Sequence, residues 1–108
     1  MRILLKEPKQ PLRSLVIDGS LKTLQDLVGG NIEPITLNGR SVLLVNEEGK
    51  LNGLEPNFFL PARNDMIVGT ALFVGTQGEE FTDISQEDAD TIGTFMTYLV
   101  GLWPSGEE

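Results

Sequence analysis

The sequence predicts an α+β domain with an antiparallel-rich sheet of about five strands, one short helix and a C-terminal amphipathic helix. Two observations lead to this fold class. Short runs rich in Val, Ile and Leu are separated by Gly, Asn, Asp and Pro over residues 2–75, as expected of strands joined by turns. One short and one long apolar repeat at helical spacing accompany these runs. Because 108 residues suffice for one compact core, we assign residues 1–108 to a single domain.

The chain begins with two predicted strands, residues 2–5 and residues 12–17. Pro-Lys-Gln-Pro at 8–11 separates them. Because proline cannot donate a hydrogen bond to a strand ladder, this segment is predicted to be extended or turning. Asp-Gly at 18–19 ends the second strand with residues that favour turns.

A short helix is predicted next. Ser20 is suited to cap its N-terminus, because serine side chains accept hydrogen bonds from the first free N–H groups of a helix. The apolar positions recur at helical spacing and are Leu21, Leu24, Leu27 and Val28. The paired Gly29 and Gly30 end the helix, and Gly29 is predicted to adopt the left-handed C-terminal position.

Two further strands are predicted in the middle of the chain. Residues 31–37 form an extended segment, and Pro34 places this segment at a sheet edge or a bulge. Asn-Gly at 38–39 predicts a hairpin turn. Residues 41–45, Ser-Val-Leu-Leu-Val, are predicted to be a buried strand because of their β-branched and aliphatic run.

The string Asn-Glu-Glu-Gly at 46–49 is predicted to be the turn of a second hairpin. A type I turn followed by Gly49 in the left-handed conformation is the usual three-residue hairpin loop with a bulge. Asn46 can hydrogen-bond the backbone two residues further on and so start the turn. Residues 51–54 are then the short returning strand.

Residues 55–65 are predicted to be a loop, because they contain two prolines and show no periodicity. We expect Phe58, Phe59 and Leu60 to fill the core from this loop. Residues 66–75 are apolar on both faces and are predicted to form a single central strand.

The last predicted element is a helix over about residues 86–103. Ser85, with Asp88 three residues later, resembles a capping box. Its apolar stripe consists of Ala89, Ile92, Phe95, Met96, Leu99, Val100 and Trp103. Pro104 prevents continuation, and residues 104–108 are expected to be disordered. We interpret the stripe as core, with a partner surface or a homodimer through the C-terminal helix as the alternative.

Acidic residues are concentrated in the second half of the chain. The formal net charge is −8, and residues 55–108 contain ten Asp and Glu residues against one base, Arg63. This asymmetry predicts an acidic face for a partner with a basic surface and disfavours nucleic acid. The predicted face consists of Glu79, Glu80, Asp83, Glu87, Asp88 and Asp90. A merely solvated acidic surface is the alternative.

The residue types present exclude most catalytic and metal chemistry. The chain has no histidine and no cysteine, which removes Ser-His-Asp and Cys-His arrangements and imidazole or thiolate metal sites. A calcium loop beginning at Asp83 would place Asp88 where glycine is required, and one beginning at Asn46 would place Lys50 among the ligands. We therefore expect no enzyme activity, no metal and no cofactor.

The sequence also favours a cytoplasmic location. No apolar run reaches the roughly 18 residues that a membrane span requires. The first ten residues contain only three consecutive apolar residues, fewer than a secretory signal needs. We therefore expect a cytoplasmic protein that does not contact membranes.

A second set of residues is predicted to bind a ligand or a partner. Arg63 follows two phenylalanines, so this segment can receive an anionic group while the aromatic rings stack on a ligand. The paired glycines and the Asn-Glu-Glu-Gly string can supply further donors. The candidate residues are Asn46, Glu47, Asn57, Arg63, Gly29 and Gly30.

Three strings resemble the domain-of-unknown-function 3846 family: LQDLVGGNIE (24–33), VLLVNEEGKLNGLEPN (42–57) and DMIVGTALFVG (65–75). The string Val-Asn-Glu-Glu-Gly-Lys-Leu, with Asn57 after it, is the most specific part. Where the family often has an aromatic residue after the paired glycines, this chain has Asn31. The resemblance implies a small protein carried by phages, plasmids or conjugative elements, and it implies no catalytic residues.

Three functions follow as hypotheses. The one we favour is a non-enzymatic accessory protein of a phage or mobile genetic element that binds a host protein in the bacterial cytoplasm, in a counter-defence role. The second is a small-ligand binder that sequesters a signalling nucleotide, although the acidic charge opposes phosphate binding. The third is a small structural or regulatory phage protein that has no ligand.

Overall fold

The computed structural model describes the backbone of residues 1–102 and the side chains of residues 1–99. Over these residues the chain forms eight strands, two α-helices and one 3₁₀ turn. In chain order they are β1 (Arg2–Lys6), β2 (Arg13–Val16), α1 (Leu21–Val28), β3 (Ile32–Thr36), β4 (Ser41–Asn46), β5 (Pro56–Leu60), the 3₁₀ turn (Pro61–Arg63), β6 (Asp65–Val68), β7 (Ala71–Gln77), β8 (Glu80–Thr82) and α2 (Gln86–Leu102).

Six of the strands form one antiparallel sheet, and the other two form a separate hairpin. The order in the larger sheet is β2-β1-β7-β4-β3, with β8 added beside β7, while β5 pairs with β6. β7 is central because it pairs with β1, β4 and β8. β3 contains Pro34 and, among the described strands, pairs only with β4, so it is an edge strand as predicted. The α+β class with an antiparallel-rich sheet and two helices is thus confirmed.

Two apolar clusters cover the two faces of the larger sheet. On one face, Leu24 and Val28 of α1 pack against the sheet. On the other face lie the β5–β6 hairpin and α2, whose buried side chains include Phe58, Leu60, Ile67, Ile92, Met96 and Leu99. Phe58 stacks on Phe73 of the central strand with ring centroids 6.1 Å apart. The β5–β6 hairpin therefore packs on one face of the larger sheet. One side of the hairpin forms a wall of the cleft described below.

The short helix α1 forms as the local signals predict. The Ser20 hydroxyl accepts a hydrogen bond from the backbone N–H of Thr23 at 3.1 Å. Gly29 ends the helix with φ of 82°, in the left-handed region. Leu24 and Val28 are buried, whereas Leu21 at the start of the helix is 57% exposed. Both predicted helix ends are confirmed, whereas Leu21 does not share the buried face of Leu24 and Val28.

The prediction of one continuous strand over residues 66–75 is wrong. β6 ends at Val68 and pairs with β5, whereas β7 begins at Ala71 and belongs to the larger sheet. Gly69, between them, has φ of 74°, which side-chain-bearing residues rarely adopt. The chain therefore turns at Gly69 and passes from one sheet to the other.

The prediction of a loop over residues 55–65 is also wrong, because Pro56–Leu60 forms β5 and Pro61–Arg63 forms a 3₁₀ turn. Phe58 and Leu60 are buried, as expected, but Phe59 is 38% exposed. Successive side chains of a strand point to opposite faces, so the three residues cannot all enter the core.

The predicted hairpin over residues 46–54 does not form. Residues 47–53 make consecutive turns, in which the N–H of Gly49 donates to Asn46 O at 3.1 Å and the N–H of Leu54 donates to Gly49 O at 2.9 Å. Gly53, rather than Gly49, has the left-handed conformation, with φ of 70°. The predicted returning strand is therefore part of a turn, and the chain leaves the larger sheet after β4.

The strand β8 has no counterpart among the predicted elements. It is three residues long and pairs Gly75 of β7 with Thr82. The two backbones come so close that a Cβ on Gly75 would lie 2.2 Å from the carbonyl oxygen of Asp83. A glycine in the central strand is therefore what allows this pairing.

The C-terminal helix α2 directs its apolar stripe into its own chain. The stripe residues that face the core are Ala89, Ile92, Phe95, Met96 and Leu99. Tyr98 is 63% exposed on the described part of the helix. The side chain of Val100, Trp103 and the predicted disorder of residues 104–108 lie outside the described residues.

Candidate functional site

A cleft of about 330 Å³ lies between the β3–β4 end of the larger sheet and the β5–β6 hairpin. Buried apolar side chains form its base, chiefly Ile35, Val45 and Ile67. Charged side chains form its margin, namely Glu33, Glu47, Glu48, Lys50, Arg63 and Asp65. These residues, together with Asn46, Gly49, Leu51, Met66 and Val68, are called the cleft below.

Strand register sets one wall of the cleft. Glu33 pairs with Val45 across β3 and β4, so these two side chains point to the same face of the sheet. Ile35, two residues after Glu33, shares that face and packs in one cluster with Val45 and Ile67. Glu33 stays exposed. An apolar base and a free carboxylate therefore come from neighbouring positions of the same edge strand.

The turn segment that follows β4 forms a second wall of the cleft, and the Asn46 side chain fixes its position. The Asn46 side chain is buried, and its Oδ1 accepts a hydrogen bond from the N–H of Glu48 at 2.7 Å. Its Nδ2 donates to Val28 O at the end of α1 at 3.2 Å. A Cβ on Gly30 would lie 3.0 Å from Asn46 Nδ2, so the absence of a side chain at Gly30 leaves room for this junction. Asn46 thus fixes the position of Glu47 and Glu48 through the backbone.

The cleft is acidic. Lys50 Nζ and Asp65 Oδ1 form an ion pair that joins the turn segment to β6. Among the side chains that the structure describes, the other three carboxylates of the cleft and the guanidinium of Arg63 take part in no ion pair. Four carboxylates against two bases give the margin a formal charge of −2. Leu51, beside them, is 83% exposed. The cleft therefore favours a ligand that carries positive charge and some apolar surface.

The turn segment of the cleft is built from the string that is most specific in the family resemblance. The family model for the domain of unknown function (DUF3846) matches residues 1–97. The chain belongs to the DUF3846 family. Neither the curated proteins nor the solved structures yielded a match. In this DUF3846 chain, Asn46 to Leu51 form a continuous part of the cleft.

The structure divides the six predicted ligand-binding residues of the DUF3846 chain into three groups. Asn46, Glu47 and Arg63 line the cleft. Gly29 and Gly30 lie at the end of α1, where they approach the Asn46 amide. Asn57 lies elsewhere, in the interior. Glu33, Lys50 and Asp65 also line the cleft but were not among the predicted residues, because their meeting depends on how the hairpin packs on the sheet.

Asn57 belongs to a buried polar network with Lys6. Its Oδ1 accepts a hydrogen bond from Lys6 Nζ at 2.9 Å, and its Nδ2 donates to Lys6 O and to Gly69 O, both at 2.8 Å. Lys6 Nζ also donates to Glu7 O at 2.8 Å. Burial lowers the pKa of Lys6 below its ordinary value, against the opposing effect of the Glu7 charge. The network ties β5 and the turn at Gly69 to β1, and it therefore positions the hairpin that forms the far wall of the cleft.

Asp88 must be removed from the predicted acidic face, because it is buried and paired. Arg40 Nη2 donates to Asp88 Oδ1 at 2.9 Å, and Arg40 Nε donates to Oδ2 at 3.4 Å. The hydrogen bond from Arg40 lowers the pKa of Asp88, and burial partly opposes this effect. Ser85 caps the helix by accepting from the N–H of Asp88 at 3.0 Å. The Ser85 cap is thus present, but the Asp88 carboxylate serves the Arg40 ion pair.

The other members of the predicted acidic face are exposed, namely Glu79, Glu80, Asp83, Glu87 and Asp90. Three of them have partners within the chain, and one is Asp90, whose Oδ1 accepts a hydrogen bond from Gln86 Nε2 at 2.7 Å. Asp83 Oδ1 accepts a hydrogen bond from the N–H of Arg2 at 2.9 Å, and Glu87 lies 4.0 Å from Arg40. These five residues lie outside the cleft and form a second acidic surface.

The described residues contain no group of three or more acidic, histidine or cysteine side chains arranged to hold a metal ion. Among the helices of the described part, none has the length and apolar character needed to cross a membrane. A smaller depression of about 230 Å³ lies between the β3–β4 turn and α2, with Phe73, Ile92 and Phe95 in its wall. Its one carboxylate, Asp88, already binds Arg40. The cleft is therefore the better candidate for a binding site.

Proposed function

We propose that this DUF3846 chain is a non-enzymatic binding protein that captures a host protein through a basic surface of that protein. Its setting would be the bacterial cytoplasm, as an accessory protein of a phage or mobile genetic element, and its role counter-defence. The observation that carries the binding proposal is the cleft itself, in which three carboxylates that form no ion pair with the described side chains line the same depression as apolar residues.

Electrostatics support a basic partner. Carboxylates at the margin of a concave site with low-dielectric walls focus the field, which attracts cations and speeds their association. The formal net charge of −8 acts in the same direction at longer range. Glu79 and Glu80 of the second acidic surface are exposed as well, but they line neither of the two depressions described above. The cleft is therefore the preferred site of contact.

A nucleotide sequestered by the same chain is less well supported. Arg63 is the one base of the cleft that Asp65 does not neutralise, and three free carboxylates share the cleft with it. The paired glycines approach the Asn46 amide at the end of α1 and do not line the cleft. A phosphate would therefore meet one cation in an otherwise repulsive field.

The test is capture of host proteins by three tagged forms of the chain at low and at high salt. Glu47→Gln/Glu48→Gln removes two charges from the cleft, and Glu79→Gln/Glu80→Gln removes the same charge from the second acidic surface. At low salt, we expect Glu47→Gln/Glu48→Gln to lose a basic partner that the wild type and Glu79→Gln/Glu80→Gln retain. High salt should release this partner from the wild type and from Glu79→Gln/Glu80→Gln. If only Glu79→Gln/Glu80→Gln loses the partner, the contact lies on the second acidic surface and not in the cleft. Retention by both variants would overturn the proposal.

A further inference from the structure

The ion pair between Lys50 and Asp65 shows how the cleft accommodates an ammonium group. Lys50 is exposed in the turn segment, and its Nζ reaches the carboxylate of Asp65 on the opposite wall. The side chains of Lys50 and Asp65 are 60% and 31% exposed, so the pair lies at the margin, where water still reaches it. One of the four carboxylates thus already holds a lysine of the same chain.

The remaining carboxylates line the same cleft as apolar side chains, and this combination suits a second such side chain. Lysine and arginine bury their alkyl stems on apolar surface while the charged head stays near water. The accessible apolar surface of the cleft comes from exposed Leu51 and from half-buried Met66 and Val68. Glu47 and Glu48 are exposed at the margin of the same cleft. A volume of about 330 Å³ is near the lower end of the roughly 300–1,000 Å³ typical of small-molecule pockets. The cleft therefore suits one side chain better than a broad surface.

We infer that the cleft receives a single lysine or arginine side chain from the partner, with the alkyl stem on the accessible apolar surface of the cleft and the cation at Glu33, Glu47 and Glu48. This inference rests on the proposed function and names its recognition unit. Lys50 then sets the affinity, because it neutralises Asp65 and keeps that carboxylate from the incoming cation. Removing acidic residues and removing Lys50 must consequently change the affinity in opposite directions.

The first experiment compares three peptides, Ac-Gly-Leu-X-Leu-Gly-NH₂ with a neutral dye, in which X is lysine, norleucine or glutamate. Norleucine keeps the alkyl stem and lacks the ammonium group, so it measures the charge separately from the apolar contact. Fluorescence anisotropy at low ionic strength gives the dissociation constants. We expect the lysine peptide to bind about tenfold more tightly than the norleucine peptide, and the glutamate peptide not to bind. Equal affinities for lysine and norleucine would overturn the inference.

The second experiment uses the lysine peptide with matched pairs of variants. Glu47→Gln/Glu48→Gln is expected to weaken binding about 3- to 30-fold, and Glu79→Gln/Glu80→Gln to leave it within twofold. Lys50→Gln is expected to strengthen binding about two- to fivefold. Its control is Lys22→Gln, because Lys22 also forms a surface ion pair with an aspartate, Asp26, at 3.1 Å, but on α1. Lys22→Gln is expected to leave the affinity within twofold.

The outcomes separate this inference from the proposed function. An unchanged or weaker affinity of Lys50→Gln, or equal effects of the two acidic double variants, would overturn the inference. If these results occur while Glu47→Gln/Glu48→Gln still loses a host partner, the proposed function stands and the recognition unit is wrong. If the peptides behave as expected and no basic host protein depends on the cleft, the proposed function is wrong while the lysine site stands.

Discussion

Lys6 and Asn57, which are 51 residues apart in the chain, meet in the interior, where Lys6 Nζ donates to Asn57 Oδ1 at 2.9 Å. The Asn57 amide in turn donates to two backbone carbonyls, those of Lys6 and Gly69. One side chain thus joins the first strand of the larger sheet to the hairpin and to the turn between the sheets. The far wall of the cleft depends on this buried junction.

Asn57→Ala is expected to lower the free energy of unfolding by about 2–4 kcal/mol, because it leaves a buried ammonium and two buried carbonyls short of partners. Urea unfolding followed by circular dichroism measures the loss. Asn52→Ala is the control, because Asn52 is exposed in the turn segment, and its effect should stay within about 0.5 kcal/mol. Equal stability of the two variants would contradict the structural role of Asn57.

The lowered pKa of Lys6 predicts that the free energy of unfolding changes with pH in the alkaline range. Its pKa is below the ordinary 10.5 in the folded chain, so between these two pKa values the unfolded chain binds more protons. The contribution of Lys6 to stability therefore rises as pH increases through that window. Lys6→Met lacks this titration. The difference in free energy of unfolding between wild type and Lys6→Met should shift in favour of the wild type from neutral pH toward 10.5, and a constant difference would contradict the assignment.

The ion pair between Arg40 and Asp88 predicts a loss of stability in acid. The folded pKa of Asp88 lies below its ordinary 3.8, so its contribution is complete above that value and is lost as pH falls through the folded pKa. Asp88→Asn should lower the free energy of unfolding by about 1–3 kcal/mol at neutral pH. Unfolding curves measured from neutral pH down to acid should show the wild type and Asp88→Asn converging. Parallel curves would show that the pair does not stabilise the fold.

Gly75→Ala tests the close approach of β7 and β8. The new Cβ would lie 2.2 Å from Asp83 O, so the backbone must shift, and we expect a loss of about 3 kcal/mol in the free energy of unfolding. Gly39→Ala is the matched control, because no atom lies within 4 Å of its Cβ position. It should change stability by no more than about 0.5 kcal/mol. Thermal unfolding of both variants makes the comparison.

The fold class and α1 could be predicted because their signals are local. Ser20 and Gly29 act on the backbone within a few residues, so the cap and the end of the helix depend little on the rest of the chain. The same holds for Ser85 at the start of α2. Pro34 indicated an edge strand because proline removes a donor wherever it lies in a sheet.

The division into two sheets could not be predicted because buried strands look alike in sequence. Residues 66–75 are apolar apart from Thr70, and Gly69 marks the passage from β6 to β7. β5 was not predicted because its first residue, Pro56, and the residue after it, Pro61, are prolines, which favoured a loop. Without β5 and β6, the hairpin that forms one wall of the cleft was absent from the expected fold.

The cleft was predicted in part. The sequence singled out Asn46, Glu47 and Arg63, because amides, carboxylates and a lone base stand out by residue type. It could not place Lys50 against Asp65, since that contact depends on the packing of the hairpin against the sheet. Lys6 was missed for a different reason. The first strand continues one residue further than expected, to Lys6 itself, and strand alternation then turns this lysine to the same face as Leu4.

An NMR titration of the ¹⁵N-labelled chain with the lysine peptide tests the central claim most directly, because it reports where the cation binds. We expect the amide shifts to concentrate in three segments, residues 33–35, 45–51 and 63–68, and to need about 3- to 30-fold more peptide with Glu47→Gln/Glu48→Gln. Shifts concentrated in residues 79–90, or spread evenly over the acidic surface, would contradict a binding function for the cleft.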